Sequence, residues 1–246
     1  MKRQIIFSHG GKGGVGKSWT STVLIEGLLA VGERVSVVEA DPTQPDVAKR
    51  YVGDPDVNVG VLTLNRAGDA ENAVAQFGEW LEKSGAAHAA QVVINLPAGA
   101  GETLDAHGDL LADLAAALDY RLVCTYALEK NRVAADELVS SLREGLMAHV
   151  ADENRFIIIP AYKGDPASFE WMTHPERERF GIQEIVMPAL GNRGALRRLE
   201  ATPGRVAAIT DKAARPEGWM IVDQSSVHRW YHSALEAIKP ILDGAV

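Results

Sequence analysis

The sequence predicts an α/β domain, a mostly parallel β-sheet with helices on both faces. Three observations predict it. Short β-branched apolar runs recur along the chain, longer stretches with helical spacing lie between them, and a glycine-rich loop joins the first run to the first helical stretch. Strands that alternate with helices need crossover connections, and such connections produce parallel pairing.

The elements follow in order. Residues 4–8 (QIIFS) read as a short buried strand, 17–30 as a helix, and 34–40 (RVSVVEA) as the second strand. In 70–83, Val74, Phe77 and Leu81 recur at three- and four-residue spacing, which predicts a helix. The run 91–96 (QVVINL) is closed by Pro97, and 120–127 is a further candidate strand. A helix is expected over 131–147, with Ala134, Leu138 and Leu142 in one stripe. RFIII at 155–159 and QEIVM at 183–187 are strand candidates stopped by Pro160 and Pro188. The last helix is expected from about Ser226 to Leu242, with Pro240 near its end. Pro203-Gly204 and residues 216–218 read as turns, and no repeat or linker divides the chain, so residues 1–246 are expected to form one domain.

Composition excludes several classes. Hydrophobic residues are 46% and charged residues 24%, ordinary for a soluble globular chain. The net charge of −8 excludes a protein that is basic overall, though not a local basic patch. A single cysteine, Cys124, excludes an intramolecular disulfide and any cysteine-built zinc or iron–sulfur site within one chain. The most apolar stretch, 110–128, is interrupted by Asp113, Asp119 and Arg121, so it cannot supply the roughly 20 apolar residues of a membrane span. The run at 5–7 is too short for a signal peptide, and a cytoplasmic location is expected.

The strongest motif is Gly10-Gly11-Lys12-Gly13-Gly14-Val15-Gly16-Lys17-Ser18. From Gly11 to Ser18 it satisfies GxxxxGK[ST], the phosphate-binding P-loop, and it stands where that pattern requires, between a strand and a helix. Glycines let backbone N–H groups turn inward around phosphate oxygens, and the helix N-terminus adds a favourable dipole. Lys17 is expected at the β/γ-phosphates and the Ser18 hydroxyl on Mg²⁺. Gly13, Gly14, Val15 and Gly16 belong to the same cradle, and Trp19 is placed with them.

The stretch KGGVGKS resembles the deviant Walker A motif, KGGxGK[ST], of the ParA/MinD family of ATPases. The resemblance implies a Rossmann-like P-loop NTPase fold and ATP with Mg²⁺ as ligands. It also implies that Lys12 reaches across a nucleotide-sandwiched dimer to the partner's phosphates. Two further segments extend it. Glu39-Ala40-Asp41-Pro42 is similar to the family's switch I, and aligns Asp41 with the carboxylate that positions the attacking water; Glu39 replaces the usual first aspartate. An alternative role for Asp41 is to cap a helix starting at Pro42. Residues 92–99 (VVINLPAG) resemble the Walker B and switch II segment, with Asn95 where the family has the aspartate that holds Mg²⁺ through water. Asparagine keeps an oxygen acceptor and loses a charge, so slow or partner-dependent hydrolysis is expected. Gly99 is positioned to bring a backbone N–H to the γ-phosphate. Lys12, Lys17 and Asp41 are the catalytic candidates, and Ser18, Asp41 and Asn95 the metal candidates. Pro188 opens a loop similar to one that packs on adenine in the family, and no base-reading motif is evident at 161–165. The resemblance covers residues 4–102; beyond that it rests on element order.

Missing cysteines argue against the iron–sulfur carriers and the arsenite and tail-anchored-protein ATPases of this superfamily. The proline-broken, non-basic tail at 235–246 argues against a membrane-binding helix of the MinD type. What remains is the ParA side: an ATP-dependent homodimer that partitions or positions plasmid DNA or another large cargo, with a partner protein that stimulates turnover. A lean within the family is toward ParA-like proteins of plasmid stability and conjugal transfer regions. Arg193, Arg197, Arg198 and Arg205 are candidates for nonspecific DNA contact; a solvated helix face accounts for them equally well. Two rival readings are an ATP-dependent metabolic ligase of the same superfamily and a nucleotide-binding scaffold without hydrolysis.

Overall fold

The computed structural model describes residues 2–40, 45–62, 70–85, 88–97 and 99–243. Seven strands among them form one sheet, all neighbours parallel, in the order β3-β2-β4-β1-β5-β6-β7. The strands are β1 (Gln4–His9), β2 (Val35–Glu39), β3 (Val57–Val61), β4 (Gln91–Asn95), β5 (Arg121–Ala127), β6 (Arg155–Pro160) and β7 (Gln183–Met187). β1 is buried along its whole length between β4 and β5. Being covered on both faces, it reads as an apolar run without alternation.

The helices lie on both faces, as expected. One face carries α1 (Lys17–Ala30), α2 (Asp46–Tyr51), α8 (Arg193–Ala201), α9 (Val206–Thr210) and α10 (Ile221–Asp243). The other carries α3 (Ala70–Trp80), α4 (Ala100–Asp105), α5 (Gly108–Ala117) and α6 (Arg132–Glu144), with α7 (Glu176–Phe180) in the connection before β7. Apolar side chains from each group meet the sheet in two cores. The predicted stripe Ala134, Leu138 and Leu142 is buried, as are Phe77 and Leu81 of the other predicted helix.

α1 is buried over most of its surface because it is sandwiched between the sheet and α10. One buried polar residue on it, Glu26, ties distant parts together. Its carboxylate accepts hydrogen bonds from Val206 N (2.6 Å), Ala207 N (3.0 Å) and the Tyr51 hydroxyl (2.9 Å). It thus caps the N-terminus of α9, where negative charge is favoured. Burial pushes its pKa up, and these hydrogen bonds together with Arg50 work in the opposite direction.

Several elements differ from the sequence expectation, among them the last helix, which starts at Ile221 and not near Ser226. The edge strand β3 (VNVGV) was not anticipated: it is short, contains Gly60 and leaves Val61 exposed. α5 lies in the stretch weighed only as a membrane span, and among the described residues no helix is long and apolar enough to cross a membrane. The helix expected over 70–83 ends at Trp80 and continues as a wider turn over Leu81–Gly85. Trp219, Trp230 and Tyr231 are buried against the core.

Candidate functional site

All seven strands run the same way, so their C-terminal ends share one edge of the sheet, where α/β folds place their ligands. The glycine-rich loop leaves β1 at that edge and enters α1. Two of its glycines have backbones that side chains resist: Gly14 at φ 72° and Gly16 at φ 98°, the latter immediately before the helix. A Cβ on Gly11 would collide with the Glu137 carboxylate of α6, so this position must be glycine for a different reason, close approach.

Lys17 is 6% exposed; its ammonium donates to Gly10 O (3.2 Å) and Lys12 O (2.8 Å). Ser8 of β1 donates to Lys17 O (3.0 Å) and fastens the helix start to the central strand. The Lys12 side chain is exposed. A cavity of about 450 Å³ opens beside the loop. Gly13 to Thr20 line its polar end, and Ile158, Met187, Pro188, Leu190 and Leu196 line an apolar end. Trp230 donates from its indole nitrogen to Pro188 O (3.0 Å) and meets Trp19 edge to face at 5.3 Å between centroids. The two indoles therefore hold the proline loop and the start of α1 together. Asn192, just beyond that loop, caps α8 through Gly194 N and Ala195 N.

Glu39 and Asn95, two separate departures in the sequence, meet in the structure. Asn95 Nδ2 donates to Glu39 Oε1 at 2.8 Å. The other Glu39 oxygen accepts from Val47 N (3.1 Å) and Ala48 N (3.2 Å), so it caps α2. A carboxylate only accepts, so the amide nitrogen of Asn95 must face it. The Asn95 oxygen then accepts from Ser21 (3.2 Å), and its N–H also faces Ser18 Oγ at 3.4 Å. Residue 95 thus turns a donor toward Ser18, and the carboxylate of this corner belongs to residue 39. The described α2 begins at Asp46 and is capped by Glu39; the capping alternative for Asp41, a helix starting at Pro42, lies outside the described residues. Asp41 itself lies outside the described residues. Gly99 is described, exposed, at φ 79°.

The four arginines do not act alike. Arg205 binds both oxygens of Asp54 (2.6 Å each) and Asp56 (2.7 Å). Arg198 bonds Gly218 O (3.2 Å) and lies 3.3 Å from Asp223. Arg193 and Arg197 are exposed on α8.

Sequence reasoning missed a cluster behind the loop. His9, the last residue of β1, is buried and lies 3.2 Å from Asp105 at the end of α4. Asp105 Oδ1 also accepts from Ser141 Oγ and from Leu146 N, both at 2.7 Å. Burial alone would raise the Asp105 pKa; the bonds from His9, Ser141 and Leu146 outweigh it and hold the carboxyl below its ordinary value. No spacing signals this group, since its members lie 96 and 36 positions apart. Tyr162 was also missed as a contact of the loop: its hydroxyl donates to Gly14 O at 2.5 Å.

Sheet order, loop and cavity define a P-loop protein of the MinD architecture. MinD, the septum site-determining protein of Pyrococcus horikoshii OT3, solved with Mg-ADP, overlays with a TM-score of 0.56 at 14% identity over 100% of this chain and 99% of its own. A nucleotide-binding protein of Archaeoglobus fulgidus, in complex with ADP, is a weaker likeness: TM-score 0.49, 15% identity, 80% and 85% of the two chains. Protein MobD of Acidithiobacillus ferrooxidans is 24% identical over 197 residues, 78% of this chain and 81% of its own. No family model matches the chain. In fold as well as motif, the chain resembles the ParA/MinD P-loop ATPases.

Proposed function

We propose that this chain binds ATP with Mg²⁺, dimerises face to face in the ATP state, and uses that dimer to position DNA or another large cargo, with slow hydrolysis stimulated by a partner protein. The observation that carries the reading is the complete KGGVGKS loop on the central strand, with Lys17 buried at its mouth and Lys12 exposed. The Mg-ADP bound to MinD on the same fold supports the ligand choice.

The residues present fit the ligand. Left-handed glycines at 14 and 16 shape a cradle that opens on a cavity with an apolar far end. Lys17 and the loop N–H groups would take the phosphates, and the wall near Pro188 and Trp230 the base. Ser18 would hold Mg²⁺, which when bound neutralises phosphate charge. Negative charge behind it would come from Glu39 through Asn95 rather than from residue 95. The Glu39–Asn95 pair leaves a weaker acidic grip than two carboxylates would, which favours slow turnover. It equally favours the second reading, a nucleotide-binding scaffold with no hydrolysis in plasmid transfer. DNA contact, where it occurs, would rest on Arg193 and Arg197, since Arg198 and Arg205 are engaged with carboxylates.

The test is molar mass by light scattering with Mg²⁺ and ATP, ADP or no nucleotide. A doubling with ATP alone is expected. Lys12→Ala should keep nucleotide binding and lose the doubling; Lys17→Ala should lose both. Normal dimerisation of Lys12→Ala would remove the case for a lysine acting across the interface.

A further inference from the structure

Tyr162 follows β6 in a short turn over Ala161–Lys163. Neighbours anchor that turn: Lys163 bonds Glu129 (2.7 Å), in the connection after β5, and lies 5.7 Å from the Tyr162 ring centre. The ring reaches across to the P-loop. Its hydroxyl donates to Gly14 O at 2.5 Å, and a Cβ on Gly16 would lie 3.3 Å from the same hydroxyl. The tyrosine therefore covers the loop from Gly14 to Gly16 on one side while lining the nucleotide cavity.

Peptide planarity turns this contact into a constraint. The peptides of the described chain are trans, and in a trans peptide the C=O and the following N–H point in opposite directions. Gly14 is at φ 72°, a backbone conformation open to glycine, with nothing within 4 Å of the place a Cβ would occupy. Fixing Gly14 O against Tyr162 directs the Val15 N–H away from the ring. Val15 itself is buried, which holds the other end of that peptide.

We propose that Tyr162 is a positioning residue for phosphate binding: its hydroxyl locks the Gly14–Val15 peptide so that the Val15 N–H faces the phosphates in the loop. The inference rests on the nucleotide-binding reading and adds a specific donor to it. A preoriented N–H meets an anion without reorganising first, which is where the affinity comes from. The aromatic ring alone would not do this. A ring that merely stacks on a base or ribose would serve as well without its hydroxyl.

Isothermal titration of Mg-ADP and of pyrophosphate into wild type, Tyr162→Phe and Tyr162→Leu separates the two. Tyr162→Phe should weaken both ligands by the same factor, about tenfold, which corresponds to about 1.4 kcal/mol, with the melting temperature unmoved because the ring is half-exposed. Tyr162→Leu should cost ADP more than it costs pyrophosphate. Phe matching wild type for both ligands would overturn the proposal and leave Tyr162 a stacking residue. A Phe variant that loses ADP affinity but keeps pyrophosphate affinity would overturn it too. Failure of the wild type to bind either ligand would instead strike the nucleotide-binding reading itself.

Discussion

Asn95→Asp places a second carboxylate beside Glu39 and should destabilise this protein. Asn95 Nδ2 lies 2.8 Å from Glu39 Oε1. The substitution replaces that donor with a second carboxylate oxygen facing a carboxylate that is 0% exposed. At an effective dielectric of about 20, two unit charges at that separation repel by about 6 kcal/mol, and by about 4 kcal/mol after relaxing to roughly 4 Å. Protonating one of them at pH 7, about 3 units above an ordinary carboxyl, costs about 4 kcal/mol as well, so either escape gives a similar ceiling. For a chain of this length each kcal/mol moves the melting temperature by roughly 2–4 °C, so a drop of roughly 8–16 °C is expected. The sign with pH is set. A carboxyl whose folded pKa is raised leaves folding unpenalised below its unfolded pKa, about 4, and penalised above it. Nucleotide-free melts of wild type and Asn95→Asp should therefore converge near pH 4 and diverge at pH 7. The exchanged pair, Glu39→Gln with Asn95→Asp, puts a donor back opposite the carboxylate and should recover more than half of the loss. A pH 7 drop under about 2 °C, or a double variant no more stable than Asn95→Asp, would refute the reasoning.

Two other predictions concern the region behind the loop. Asp105→Asn removes a carboxylate that accepts three hydrogen bonds, with an expected loss of about 1.5–3 kcal/mol. Because the folded pKa of Asp105 is depressed, that stabilisation is present above about pH 4 and fades as pH falls through the folded value. The gap between wild-type and variant melting temperatures should therefore narrow between pH 7 and pH 3. Gly108→Ala should also destabilise, by about 1–3 kcal/mol, despite alanine's better helix propensity. Its Cβ would stand 2.9 Å from the Leu146 Cα and 2.8 Å from the His149 ring, and backbone cannot step aside; a melting temperature equal to or above wild type would contradict this.

Much of the fold was legible because parallel strands and their helices leave local signals. β1, β2, β4, β5, β6 and β7 are all apolar runs ended by glycine, proline or a polar turn, and the loop motif carries its own spacing. β3 was missed because an edge strand of five residues interrupted by Asn58 and Gly60 has no such signature. In the site, Lys17 and Ser18 could be placed from the motif alone. The Glu39–Asn95 bond could not, because it joins neighbouring strands 56 positions apart and turns two apparent departures into one complementary pair. Tyr162 escaped for the same reason: its partner is a backbone carbonyl 148 residues away, and nothing in AYKGD signals that contact.

The Glu26 carboxylate has a consequence for how the chain reaches its final form. Helix α1 lies early in the sequence, yet two donors to Glu26, the Val206 and Ala207 amides, stand about 180 residues later. A buried carboxylate without those donors is costly, so dehydrating Glu26 and docking α9 beside α1 are coupled. Contacts of such long sequence separation are slow to form and reward the chain only at the end. Burial of the helix that follows the glycine-rich loop is thus coupled to the segment around residues 206–207, far away in sequence.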